Sequence, residues 1–170
     1  LTLLKPFTSS RLLAPSCTNC YSVLSQTLLD QLTNAFHKEN PNLIDPLSVS
    51  KLETHHVELV LFRLRSKPSS AIRFFEWSEI FIGFNHTLES FCALIHVLLS
   101  RRMFHPTRQV FDGMVRQFGD SDNFYTFQHG FESYGSNSST VYSFVVENYC
   151  RIGMINRSTE TFFRMSKMGI

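Results

Sequence analysis

The first 29 residues contain no acidic side chain, although the whole chain of 170 residues sets 14 acids against 16 lysines and arginines. Glycine and proline are scarce, at seven and six, which excludes a collagen-like or low-complexity polymer. Charged residues make up only 18% against 43% apolar, too few charges for a disordered chain and enough apolar side chains for a packed core. Four cysteines, at positions 17, 20, 92 and 150, are too few and too scattered for a disulfide scaffold. The longest nearly apolar run, Phe91 to Leu99, is interrupted by His96 and is much too short for a membrane span. Catalytic constellations are missing too. There is no Ser/His/Asp set, no paired carboxylates, no phosphate-binding glycine loop and no His-x-Glu with Pro-Cys-x-x-Cys. His55-His56 and His96 lack the His-Glu-x-x-His spacing, and helix neighbours are expected to face apart. The expectation is a protein that is not an enzyme, with no cofactor, no metal site and no small-molecule substrate.

What the acid-free start does contain is Ser, Thr and Leu with Lys5 and Arg11, the composition of an organelle presequence over residues 1–20. A secretory signal peptide competes with that reading, but Pro6 and the polar residues interrupt any apolar stretch; a disordered tail is the third reading. Cys17-x-x-Cys20 has no second Cys/His pair at zinc spacing. The remaining 141 residues balance 14 bases with 14 acids, yet segments 88–119 and 140–170 each carry a local +2. Leu1 stands where Met would open a full reading frame, and the last residues read as a helix end, so a fragment of a longer protein is expected.

Past residue 20 the apolar residues recur at helical spacing. Leu24, Leu28, Leu32 and Phe36 predict one helix, which with the Pro41/Pro46 linker occupies 21–54. Val57, Val60, Leu61 and Leu64, then Ala71, Phe74, Phe75 and Trp77 up to Gly83, predict a helix pair over 55–87. Thr87 is the expected N-cap of a helix carrying Phe91, Leu94, Ile95 and Leu98. Pro106 lies in the first turn of the next, which carries Val110, Phe111 and Met114 and ends at Gly119. Tyr142, Val145, Val146 and Tyr149, closed by Gly153, and Ile155, Phe162 and Met165, closed by Gly169, predict a last pair. No segment of comparable quality alternates with period two. The class is all-α.

These pairs repeat. Sliding 91–114 forward by 51 residues places Phe91 on Tyr142, Leu94 on Val145, Ile95 on Val146, Leu98 on Tyr149, Phe111 on Phe162 and Met114 on Met165, with Thr107 on Ser158. Sliding back by 36 places Thr107 on Ala71, Val110 on Phe74 and Phe111 on Phe75. A unit of about this length is a solenoid repeat, so antiparallel helix pairs stacked in a right-handed α-solenoid are expected after a disordered N-terminal segment. The additional residues fall in 120–139, an insertion in which Phe124, Tyr125, Phe127 and Phe131 suggest one short packed helix. Phe111, Phe162, Met114 and Met165 are expected to be core.

Segment 140–170 resembles a plant pentatricopeptide repeat, in its Tyr142, Val145-Val146, Tyr149-Cys150-Arg151-x-Gly153, Ser158, Phe162, Met165 and closing Gly169-Ile170, and is incomplete at its C-terminal end. Segment 88–119 is similar, with Arg101-Arg102 in place of the expected turn glycine, and 55–87 is similar to a degenerate opening pair. A tetratricopeptide array, the nearest rival, has a Trp-x-x-Leu-Gly pattern that this chain lacks. The resemblance implies sequence-specific binding of single-stranded organellar RNA, mitochondrial or alternatively plastid, in transcript processing, stability or translation, alongside protein partners in RNA-processing complexes. It places a base reader at Ser143, a base-flanking residue at Thr140 and a phosphate-near cation at Arg151. The weaker repeat has Cys92, Glu89 and Ser100 in those places. A different class of function also fits the residues: a helical protein-interaction scaffold, or a truncated array without RNA binding of its own.

Overall fold

The computed structural model describes residues 23–41, 44, 49, 52–119 and 139–169. The presequence and insertion readings therefore lie outside the described residues, as does the side chain of Leu24. Seven α-helices and no strand are found among the described residues: α1 Val23–His37, α2 Thr54–Arg63, α3 Pro68–Ile82, α4 Leu88–Ser100, α5 Phe104–Phe118, α6 Ser139–Arg151 and α7 Ile155–Lys167. A short 3-10 turn, Leu64–Ser66, links α2 to α3. The all-α helical repeat fold expected from the sequence is the one observed.

Three helix pairs follow one another: α2 packs on α3, α4 on α5 and α6 on α7. The first helices also touch in succession, α2 to α4 and α4 to α6, while α1 lies against α2 and α3 at the start of the array. Stacking buries the apolar stripes, and α4, with neighbours in α2, α3, α5 and α6, is buried on nearly every side. In α1 the stripe is Leu28, Leu29, Leu32, Ala35 and Phe36. Phe36 meets Phe74 and Trp77 edge-on, each at 5.3 Å between ring centres. Exposed ion pairs flank that contact, Arg63 to Asp30 at 2.6 Å and Arg73 to Glu39 at 2.7 Å.

The 51-residue step holds through the first helices, since α4 and α6 start at Leu88 and Ser139 and bury Phe91, Leu94, Ile95 and Leu98 against Tyr142, Val145 and Tyr149. It holds in the turns as well. Met103 N–H donates to Leu98 O at 3.0 Å, and Met154 N–H to Tyr149 O at 2.9 Å. Gly153 takes a left-handed φ of 82°, and Arg102, at the equivalent place, is held at 56°. A side chain in that region is strained where glycine is not.

Two expectations require correction. The 36-residue step describes the second helices, which start at Pro68 and Phe104, but the first helices start at Thr54 and Leu88, a step of 34. The cause is that α2 is shorter and closes through the 3-10 turn. Phe162, expected in the core, is 56% exposed, although Phe111 at the same repeat position is fully buried. Phe111 is covered by Phe144 and Tyr149 of α6, at 6.0 and 5.2 Å, and among the described residues no helix lies beyond α7 to do the same for Phe162. Met165 is half-buried for the same reason.

The first two pairs are joined by a buried histidine that the sequence did not flag. His86 lies in the connection between α3 and α4, with its ring stacked on Phe75 at 3.5 Å and 7° between planes. Its Nε2 lies 3.0 Å from Phe75 O and 3.2 Å from Ser78 Oγ; the N–H on that nitrogen donates to the carbonyl. Gln117 on α5 in turn donates to His86 O at 2.9 Å. Burial lowers the imidazole pKa to about 4, although the hydrogen bond to Phe75 acts in the opposite direction.

Candidate nucleic-acid interface

The outward edge of a first helix is set by its first turns. On α6, Thr140 and Ser143 lie one turn apart, are both exposed, and so share one face. Neither carries a charge. Their hydroxyls can each donate one hydrogen bond and accept others, which suits a base edge. On α4 the same two positions are Glu89, half-buried, and Cys92, fully buried. The helix start at Thr54 transfers them to His55 and Glu58 on α2.

The structure therefore separates the residues that the sequence grouped. Ser143 and Thr140 stand on an open edge. Cys92 does not; α4 is flanked by α2 on one side and α6 on the other, and its thiol is closed off between them. Its pKa is raised well above the ordinary thiol value by burial, then by the neighbouring Glu89 and Glu58 carboxylates. A base reader at Cys92 is thus replaced by a core thiol. Ser100 is exposed, and its hydroxyl donates to Val97 O at 2.7 Å, within its own helix.

Arg151 is bound on two sides. Its guanidinium pairs with Asp112 of α5, and its Nε donates to Asn148 Oδ1 at 3.1 Å. Asn148 is fully buried and is fixed by donating to Phe144 O at 2.7 Å. One turn earlier, Glu147 receives Arg108 Nη2 at 2.7 Å. These pairs border the Phe111 contact between α5 and α6, so an anion approaching Arg151 competes with a carboxylate already there. The repeat pattern gave the position of Arg151 but not the Asp112 across from it.

A His/Glu cluster forms at the start of α2, where the ligand atoms of Glu53, His55 and His56 all lie within 4.8 Å of one another. The two rings approach to 3.9 Å, contrary to the expectation that they face apart, because both sit in the first turn and are drawn toward Glu53. The arrangement is a capping box. Glu53 caps a backbone N–H, and Glu53 N–H donates back to His56 Nδ1 at 3.1 Å. That bond uses the lone pair a metal would need, and the positive helix end disfavours a cation. No helix of the described residues is long and apolar enough to cross a membrane.

A pentatricopeptide repeat-containing protein of Arabidopsis thaliana is 31% identical over 147 residues, 86% of this chain and 16% of the relative. The chain belongs to the pentatricopeptide repeat family. A second Arabidopsis pentatricopeptide repeat-containing protein is 38% identical over 68 residues, 40% of this chain and 9% of its own length, and a third is 30% identical over 102 residues, 59% and 11%. The chain thus spans less than a fifth of each of these three relatives. No family model matches it, and no solved structure does. In a pentatricopeptide repeat protein the expected shape is an array of helix pairs, in agreement with α2 to α7.

Proposed function

We propose that this chain is part of an organellar pentatricopeptide repeat protein that binds single-stranded RNA with sequence preference, acting in transcript processing, stability or translation. The observation that carries the reading is the open, uncharged Thr140/Ser143 edge of α6, at the positions where the family resemblance expects base contact. Binding by this stretch alone is weak: the net charge is only +2, and single-strand affinity otherwise comes from about 1–3 kcal/mol per stacked base summed over several repeats. Mitochondrial import, with plastid as the alternative, is supported by the acid-free composition of residues 1–29. No step in this function calls for catalysis. The test is equilibrium binding of the chain to a random single-stranded RNA pool and to duplex RNA of equal length. Preference for the single strand is expected; equal or absent binding favours the protein-interaction scaffold. Import is tested separately, by fusing residues 1–50 to a fluorescent reporter, which should enter mitochondria and contradicts the localisation if it stays cytosolic.

A further inference from the structure

The turns that close α2 and α4 gather positive charge at one end of the array. Arg65 and Lys67 stand on the first turn, Arg101 and Arg102 on the second, and all four are exposed. The turns touch, since Arg101 Nε donates to Arg65 O at 3.3 Å. Arg63 beside them is neutralised by Asp30, but none of the four takes part in an ion pair among the described residues. Lys67 donates to His37 O, a neutral carbonyl, at 3.1 Å, and the neighbouring Glu39 is held by Arg73. Glu58 and Glu89, the acids of α2 and α4, lie seven and twelve residues before the nearest of these arginines, about 10 and 18 Å along the helices. On α3 and α5 the first acids, Glu76 and Asp112, stand more than two turns beyond the helix starts, and Asp112 is taken by Arg151.

Two further features mark the second turn. Arg102 is held at a left-handed φ of 56° where the turn between α6 and α7 has Gly153, so a cation is kept at a place where glycine would relieve the strain. The reading position of α4 is closed, since Cys92 is fully buried. At the places where the resemblance expects a phosphate contact, Ser100 carries no charge and Arg151 is already paired. The second pair thus offers open cations without a base reader, and the third an open reading edge with an occupied cation. Because α4 packs on α6, the two features lie on adjacent first helices.

We infer that Arg65, Lys67, Arg101 and Arg102 form a clamp for the phosphodiester backbone of single-stranded RNA that acts without regard to sequence, so that the first two pairs hold the strand while α6 reads it. The clamp rests on the RNA reading above and adds to it a separation of holding from reading. Guanidinium groups suit the holding, because each is a planar fork that meets two phosphate oxygens at once. In a chain of net charge only +2, such a concentration of cations supplies the counterion release that the overall balance does not.

The experiment is equilibrium binding of the full 170-residue chain to a random single-stranded RNA pool over a range of salt, followed by selection from that pool. Arg101→Gln/Arg102→Gly should lower the slope of log affinity against log salt by about 1.4, at about 0.7 for each phosphate neutralised on a single strand. Binding at low salt should weaken about tenfold for all sequences alike, with the enriched base unchanged. Arg65→Gln, on the other turn, should give about half that change of slope and serves if the double variant fails to fold. Arg101→Lys/Arg102→Lys keeps the charge and should restore the slope, which a merely structural loss would not. The control Arg116→Gln/Lys167→Gln removes two exposed cations away from these turns and should leave the slope nearly as it was. Equal losses in the control, or an unchanged slope in Arg101→Gln/Arg102→Gly, overturn the clamp while leaving RNA binding intact. A changed base preference in that variant overturns the separation of holding from reading. An unmodified chain that binds no RNA overturns the clamp and the RNA reading together, and sedimentation with phosphatidylserine vesicles, lost in the same variant, would then assign the arginines to a lipid surface.

Discussion

Phe111 and Phe162 hold the same place in successive repeats and meet opposite fates. Phe111 is fully buried, edge-on to Phe144 and Tyr149, while Phe162 is 56% exposed. The residue is the same and so is its helix position; what differs is whether a following first helix covers it. Burial in a repeat array is thus a property of the interface between units, which one unit cannot supply by itself.

The largest expected effect breaks that comparison directly. Phe111→Ala should cost about 3–5 kcal/mol, as for large aromatic truncations in a core, whereas Phe162→Ala in the same chain should change stability by less than about 0.5 kcal/mol. Urea denaturation of both variants measures the contrast, and equal losses would mean that Phe162 is covered in solution.

The interface between the first two pairs sharpens it through His86. Its folded pKa, lowered to about 4, lies below the ordinary value of 6.5, so the unfolded chain binds the proton first as pH falls. Stability from this group is complete above pH 6.5 and is lost as pH falls toward 4, by up to about 3 kcal/mol. His86→Gln should flatten the pH dependence of the denaturation midpoint across that window. An unchanged slope would place the proton uptake elsewhere.

Smaller effects separate the turns and the charges. Arg102→Gly removes a strained left-handed side chain and should stabilise the fold by about 1 kcal/mol, while Gly153→Ala at the equivalent turn should destabilise by a similar amount. Arg151→Ala breaks the exposed pair with Asp112 and also removes the Nε donor from the buried Asn148 Oδ1, and should cost about 1–2 kcal/mol, of which only the ion-pair part diminishes as salt is added.

The helix pairs, their stops and the 51-residue repeat were legible because the apolar spacing and the turn glycines are local signals. What was not legible depends on partners far along the chain. His86 lies in a Gly-Phe-Asn-His-Thr stretch that reads as an ordinary connection, and only Phe75 stacking on its ring makes it core. Cys92 and Ser143 are equivalent in the repeat, but the two neighbours that bury the thiol are α2 and α6. The 34-residue step of the first helices is legible too, in Val57, Val60, Leu61 and Leu64 against Phe91, Leu94, Ile95 and Leu98; the 36-residue step belongs to the second helices alone, because α2 closes through a 3-10 turn. Asp112, which occupies Arg151, is a charge on another helix and carries no periodic signal.

The most direct test of the proposed reading edge is the base preference of Ser143→Asn. A hydroxyl replaced by a carboxamide offers a different donor and acceptor pattern to a base edge. Selection from a random single-stranded RNA pool, with the unmodified chain and the variant side by side, should enrich a different base at one position while the fold, followed by circular dichroism, is unchanged. The same enrichment for both proteins, or none for either, would contradict base reading by α6.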